Sequence, residues 1–388
     1  MKAVILAAGD GARMLPLTET RLKSLIPIAI KPIIVHILEA LKTAGISEAV
    51  IVQKPDGTLK GALGTETAGV KLEYAVQKEP LGTANAVAAA KDFIKKDFLV
   101  LNGDDIIDAG TIQNLIEKGA PAVALAKVKD ASAFGVAELD DDKVISFSEK
   151  SGADGFVNTG AFILPKKFFE LKLEKSERGD YELPQAALQL GSLKYVDAIF
   201  WQPVGYPWQI LEANQSLLNE IEGKNEAEVE QGATLKGKII AGKGTIIRAG
   251  AYIEGPVLIG TNCRIGPNCY IRPYSTIGNN CKIGQSVEIK NSVIFNNTCL
   301  PHQNYVGDSI IGENCNIAAG TIIGNLRHDN ANIKMEVNGE MVDTGLRKFG
   351  AVIGDNVKTG ICSIIYPGRK IKSGATTKPG EVVEKNAG

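Results

Sequence analysis

The chain has 388 residues, 44% hydrophobic and 22% charged, with a formal net charge of −1. That length calls for two or three domains, and the near-zero charge gives non-specific nucleic-acid or membrane binding no electrostatic support. No apolar stretch approaches a bilayer span, and no Cys-x-x-Cys pair occurs among the six cysteines, so membrane, zinc and redox classes are disfavoured and a cytoplasmic protein is expected.

Residues 3–8 read as a buried parallel strand. It breaks at Gly9, with Gly11 two residues on, and Arg13, Lys23 and Lys31 lie in the Pro-punctuated loop beyond. Glycines at a strand end expose backbone N–H groups to a ligand, and cations just beyond suit a polyphosphate. Stretches 33–44 and 84–93 are helix-like, whereas 49–52, 98–101 and 122–126 are apolar strands. This alternation predicts a Rossmann-like parallel sheet with helices on both faces. Ligands of such sheets bind at the C-terminal strand ends, where Gly9 and Gly103 fall. Asp104 follows Gly103 and reads either as a turn residue or as a ligand for Mg²⁺ beside a triphosphate. A closing helix over 208–222 ends the first domain, 1–222, and a polar linker occupies 223–230.

From 231 to 388 the period changes. Ile247, Ile253, Ile259, Ile265, Ile271, Ile277, Ile283 and Ile289 recur every six residues. After a phase slip the series resumes at Ile311, Ile317 and Ile323, and again at Ile353, Ile365 and Ile371. A small residue stands two positions before nearly every one, including Cys263, Cys269, Cys281 and Cys315. One large and one small inward position per hexapeptide predicts a triangular parallel β-helix, with these four cysteines as core fillers. Residues 324–350 leave the period as an inserted arm, and Asn338-Gly339 marks a hairpin turn within it. Of the three histidines, His36 falls in a helix pattern, His328 in the arm, and His302 at the phase slip, three residues before Tyr305.

Residues 3–32, A-V-I-L-A-A-G-D-G-A-R-M-L-P-L-T through K-P, resemble the signature of sugar-1-phosphate nucleotidylyltransferases. Ala12 stands where Thr or Ser is usual, and Leu22 where Pro is usual. The resemblance implies that Arg13 and Lys23 clamp phosphate oxygens and that Leu6, Ala7, Ala8, Gly9 and Gly11 border the nucleotide. It also implies Gln77, Gly82 and Thr83 at a uracil or thymine base, Gly103 beside them, and Asp104 on the metal. Gly135, Glu149, Lys150 and Asn158 would surround the sugar and its phosphate. Pro203 replaces a usual metal-binding aspartate, and Pro184-Gln185 a usual Thr-Asp, so nucleotidyl transfer is expected to be weakened.

The segment 300–312, with G-N-L-R-x-D and V-D-T-G-x-R-K around the arm, resembles bifunctional glucosamine-1-phosphate acetyltransferase/N-acetylglucosamine-1-phosphate uridylyltransferases of the archaeal type. This implies a left-handed β-helix, a homotrimer and His302 as general base. Arg272 and Lys290 would meet the sugar phosphate, with Lys334 and Lys348 as weaker candidates. Tyr305 and Asn316 would meet the sugar, and Ala319, Asn325 and Ile361 acetyl-CoA. The implied substrates are small molecules: a hexosamine 1-phosphate, UTP or dTTP, and acetyl-CoA. Rival readings are a nucleotidylyltransferase with purely structural coils, a non-catalytic scaffold subunit of the same architecture, and an acetyltransferase whose first domain only senses nucleotide sugar.

Overall fold

The strand Ala3–Leu6 lies at the centre of a ten-stranded sheet, parallel to Glu48–Gln53 on one side and Phe98–Asn102 on the other. The computed structural model describes residues 1–131, 134–149, 154–176 and 179–388. Contacts divide the chain into two units, Met1–Asp10 with Ile33–Pro203, and Gly11–Pro32 with Val204–Gly388. The loop carrying Arg13 and Lys23 therefore groups with the second unit, and the boundary expected at 222 falls inside it.

In the first unit, Leu6 pairs with Asn102, so these two strands end side by side. The Gly103 N–H donates to the Leu6 carbonyl at 2.8 Å. A Cβ on Gly103 would come within 2.8 Å of Ala7, which only glycine avoids. Helix Ile33–Thr43 buries Ile33, Ile34, Ile37, Leu38 and Leu41, the three-and-four spacing of an amphipathic helix.

The sheet is mixed rather than wholly parallel. Gly155–Leu164 runs antiparallel to both Phe98–Asn102 and Ala122–Val128, and Gly135–Asp140 pairs antiparallel with Lys143–Glu149. A parallel pairing needs a crossover of a dozen or more residues. Only Asp141 and Asp142 separate the hairpin strands, so that pair has to be antiparallel.

In the second unit, three parallel sheets of eight, seven and five strands stack coil upon coil, consistent with a β-helix. Ile247 pairs with Ile265 and Ile265 with Ile283, eighteen residues apart, which is three hexapeptides per coil. The repeat isoleucines from Ile247 to Ile371 are at most 1% exposed, and Cys263, Cys269, Cys281 and Cys315 are buried free thiols. Corner residues Asn262, Asn280, Asn297, Asn314 and Asn356 hold φ between 56° and 59°. Asparagine tolerates this left-handed region better than other non-glycine residues.

The phase slip has a plain geometric origin. Ile289 pairs with Val306 and Ile294 with Ile311, so Ile294, Leu300 and Val306 continue the inward row, all buried. One residue is missing at each of two turns, 290–292 and 307–309, and the arm leaves the coils one turn later, after Ile323. The three irregularities fall at successive turns of one corner. The arm itself is the expected hairpin, Lys334–Val337 against Glu340–Asp343. The first rung begins earlier than the expected linker end, since Glu228–Val229 pairs with Ile246–Ile247.

Helix Gln209–Glu220 and residues 11–32 are knitted to the coils through the fully buried Asn214. Its amide donates to the Tyr274 carbonyl at 2.9 Å and accepts from the Thr276 hydroxyl at 2.7 Å and the Ala29 N–H at 3.3 Å. A buried amide satisfied on both ends fixes its neighbours, because leaving either end unpaired is costly.

Candidate active sites

At the C-terminal edge of the first unit's sheet lie two cavities of about 350 and 370 Å³. Gly82, Thr83, Asn102 and Asp180 line both. The first also takes Leu6, Ala8, Gly9, Gln77 and Asp104; the second takes Gly135 and Asn158. Ala7 points its N–H at the Val52 carbonyl, 2.9 Å away, and belongs to the sheet rather than to the cavity wall. Lys150 and the side chain of Glu149 lie outside the described residues.

Several of these side chains hold the walls. Gln77 Nε2 donates to the Gly82 carbonyl at 3.1 Å and to Asn85 Oδ1 at 3.0 Å, which sets the amide's orientation. Thr83 Oγ1 accepts the Leu183 N–H at 2.9 Å. Gly82 has φ +99°, and a Cβ there would lie 2.5 Å from the Tyr181 carbonyl oxygen, so close backbone packing alone demands glycine. Asn158 Oδ1 accepts the Gly160 N–H at 2.9 Å. Asn102 and Asp180 went unread in the sequence. Asn102 had a signal, standing directly before Gly103-Asp104; Asp180 sits in a polar stretch with no periodicity to single it out.

Among the described residues no three His, Cys, Asp or Glu side chains group as a metal cage. The first cavity offers the carboxylates of Asp104, Asp10 and Asp180, with Asp10 ion-paired to Lys54. Pro203 pairs with Asp105 in a short antiparallel ladder and contributes no side-chain ligand. Mg²⁺ commonly keeps several waters and binds one or two carboxylates plus substrate phosphates. The carboxylates present therefore fit a divalent cation delivered with a triphosphate better than a caged resident ion.

In the second unit, Arg13 lies in the turn Ala12–Met14 and Lys23 opens the turn Lys23–Leu25. The Arg13 guanidinium stands over the Tyr206 ring at 5.0 Å. Gly11, at φ +65°, packs so tightly that a Cβ would meet Thr18 at 3.0 Å and Lys23 at 3.1 Å.

The irregular corner of the coils carries a connected polar cluster. Lys290 Nζ donates to both oxygens of the buried Asp308, at 3.0 and 2.8 Å. Asn291 Nδ2 donates to Asp308 at 2.8 Å, and Asn325 Nδ2 to Asp308 and to the Tyr305 hydroxyl. One coil away Arg272 pairs with Glu288 at 3.0 Å. Burial first, then the Asp308 charge, pushes the Tyr305 hydroxyl pKa up, so it stays a neutral hydroxyl. Gly307 makes room: a Cβ there would strike Asn325 and Tyr305.

His302 is exposed at the end of strand Cys299–His302, opposite Gln285. Asn316 bridges Cys299 on the same sheet, and both lie outside the Lys290 cluster. Ala319 accepts the Cys362 N–H at 2.8 Å, which places it one coil from the exposed Ile361. Asn325, expected beside acetyl-CoA, also hydrogen-bonds Asp308 and the Tyr305 hydroxyl. Lys334 lines a cavity of about 650 Å³ under the arm, whereas Lys348 is exposed and bridges Leu326 through backbone. Asp308 and Glu288 were missed because corner carboxylates in a solenoid usually only face water.

Comparison with known proteins follows the same two-part division. Residues 2–220 match the nucleotidyl transferase family model, and residues 253–372 match the GMPPB C-terminal domain model. The "Bifunctional protein GlmU" of Methanococcus maripaludis strain C7 is 45% identical, over 96% of this chain and 92% of its own. That of Methanocaldococcus jannaschii is 41% identical, with the same coverage. The "Bifunctional sugar-1-phosphate nucleotidylyltransferase/acetyltransferase" of Sulfurisphaera tokodaii is 37% identical over 100% of this chain and 98% of its own. A solved Bacillus anthracis structure assigned as a glucose-1-phosphate thymidylyltransferase superposes with a TM-score of 0.52 at 29% identity, covering 58% of this chain and 98% of that one. By these likenesses the chain belongs to the bifunctional sugar-1-phosphate nucleotidylyltransferase/acetyltransferase family.

Proposed function

We propose that this protein makes UDP-N-acetylglucosamine in two steps, acetylating glucosamine 1-phosphate and then transferring a nucleotidyl group to the product. The observation that carries the reading is the irregular corner of the coils. Lys290, Asp308, Asn325 and Tyr305 form one network there, and the exposed His302 precedes Tyr305 by three residues on the adjoining sheet. Lys290 and Arg272 on neighbouring coils suit a sugar phosphate, and an imidazole suits amine deprotonation.

In the first reaction His302 takes a proton from the amine, which attacks the thioester carbonyl of acetyl-CoA. The carbon–sulfur bond breaks and coenzyme A leaves as a thiolate that picks up a proton. Arg272, Lys290, Lys334 and Lys348 face the phosphate, Tyr305 and Asn316 the sugar, and Ala319, Asn325 and Ile361 the acetyl-CoA. In the second reaction a sugar phosphate oxygen attacks the α-phosphorus of UTP or dTTP and pyrophosphate leaves. Arg13 and Lys23 neutralise phosphate charge, and Asp104 holds Mg²⁺ arriving with the triphosphate. Gln77, Gly82 and Thr83 border the base, Leu6, Ala8, Gly9, Gly11 and Gly103 the phosphates, and Gly135, Glu149, Lys150 and Asn158 the sugar.

The enzyme is cytoplasmic, and its coils are left-handed and assemble as a homotrimer. Ile322, Ile364 and Val382 support assembly: they align on successive coils and are each 41–43% exposed. Aligned exposed apolar side chains mark an association surface. A second reading keeps the acetyl transfer but makes the first unit a nucleotide-sugar sensor; Pro203 favours it. The deciding experiment supplies glucosamine 1-phosphate, acetyl-CoA, Mg²⁺ and each triphosphate in turn, tracking thiol and pyrophosphate separately. Both products support the main reading, thiol alone supports the sensor, and no thiol defeats both.

A further inference from the structure

We infer that Asp355, a coil residue far along the chain, is a positioning residue for nucleotidyl transfer, acting through Arg21 on the loop that carries Arg13 and Lys23. The inference rests on the nucleotidyl-transfer reading above.

Residues 11–32 group with the coils, and the contacts that hold them are specific. The Asp355 carboxylate, 5% exposed, ion-pairs with Arg21, itself 14% exposed. The same carboxylate accepts the Thr20 hydroxyl, and its other oxygen accepts the Glu313 N–H at 2.7 Å. Arg21 also reaches Glu313 at 3.4 Å and lies over the Phe295 ring at 5.0 Å. Glu19 accepts the Ser373 N–H at 2.7 Å. Three consecutive loop residues thus end on the coils, and Lys23 follows two positions later.

A second anchor holds the other cation. Arg13 lies over Tyr206, Tyr206 stacks on Trp208 at 4.5 Å, and Trp208 meets the edge of Phe349 at 6.4 Å. Phe349 donates its N–H to the Asn325 carbonyl at 3.0 Å, at the root of the arm. The loop itself has little internal structure, three short 3₁₀ turns and a two-residue ladder. Its shape is therefore set by what it is tied to. A well-packed, nearly buried carboxylate–guanidinium pair supplies geometric definition where exposed pairs do not.

The test uses the full-length chain, wild type, Asp355→Asn, and the exchanged pair Arg21→Asp with Asp355→Arg. Hydrogen exchange over residues 11–25 is followed together with pyrophosphate release and thiol release. In Asp355→Asn, exchange in 11–25 accelerates and kcat for pyrophosphate release falls about 10-fold, since misplacing a catalytic group by about 1 Å is that costly or more. Thiol release stays within about twofold, and the exchanged pair recovers part of the loss. Unchanged exchange in 11–25, or unchanged pyrophosphate release, overturns the inference. So does an equal loss of both activities, which marks a merely structural residue. A wild-type chain that releases no pyrophosphate overturns instead the functional reading beneath it.

Discussion

The first unit's cavities are assembled from residues as distant in sequence as Leu6 and Asp180, each at the end of its own strand or loop. In the coil unit Arg272, Lys290, Gly307 and Asn325 come from one corner of successive coils. A doubly wound sheet gathers function at an edge, where every contributor has a unique local context. A solenoid repeats one context, so a site shows up as a departure from the repeat. The shortened turns at 290–292 and 307–309 and the arm after them are such departures, and Lys290 with the buried Asp308 sits on them.

The comparison can be broken most forcefully at the coil core. Ile271→Ala removes a fully buried repeat side chain, and the expected cost is about 2–5 kcal/mol. Because coils depend chiefly on their neighbours, denaturation should abolish thiol release at lower urea than in the wild type and, since residues 11–32 are tied to the coils, depress pyrophosphate release over the same range. Pyrophosphate release untouched across that transition would mean that the loop keeps its shape without the coils.

The two sites should also respond separately. Asp104→Ala, or removal of Mg²⁺ by a chelator, should cut pyrophosphate release about 10²-fold while thiol release holds, the effect of losing a transition-state charge partner. Equal inhibition of both would deny the division of labour. Lys290→Met leaves Asp308 buried with only amide partners, a destabilisation of about 1–3 kcal/mol. The KM for glucosamine 1-phosphate should rise, with pyrophosphate release from N-acetylglucosamine 1-phosphate unaffected.

The smallest effect concerns the thiols. Burial pushes Cys269 and Cys315 up to about 12, so at pH 8 nearly all of each remains protonated thiol and unreactive. Timed alkylation of the native protein should label the exposed Cys362 first and leave Cys269 and Cys315 unmodified. Early labelling of the latter pair would contradict their place in the coil interior.

The coils were the most legible part of the chain, because a six-residue period is long and self-checking. Even its slip was visible, although Ile294, Leu300 and Val306 as its continuation were not, since a one-residue deletion moves the phase without changing composition. The strands 49–52, 98–101 and 122–126 were read correctly from apolar runs. The antiparallel insertion of Gly155–Leu164 was not, because apolar runs carry no strand direction. Chain order did not reveal where residues 11–32 pack: they follow a strand of the first unit yet group with the second, through Arg21 and Glu19, whose partners Asp355 and Ser373 lie more than 300 residues away. Gly82 was read for a ligand's approach, and packing against Tyr181 already accounts for it.

The most direct test of two separable transferase sites on one chain is His302→Ala, assayed for thiol release with glucosamine 1-phosphate and for pyrophosphate release with N-acetylglucosamine 1-phosphate. The account predicts that thiol release falls about 10²–10⁴-fold, the span of general base catalysis, while pyrophosphate release keeps its wild-type rate. Undiminished thiol release, or parallel loss of both products, would contradict it.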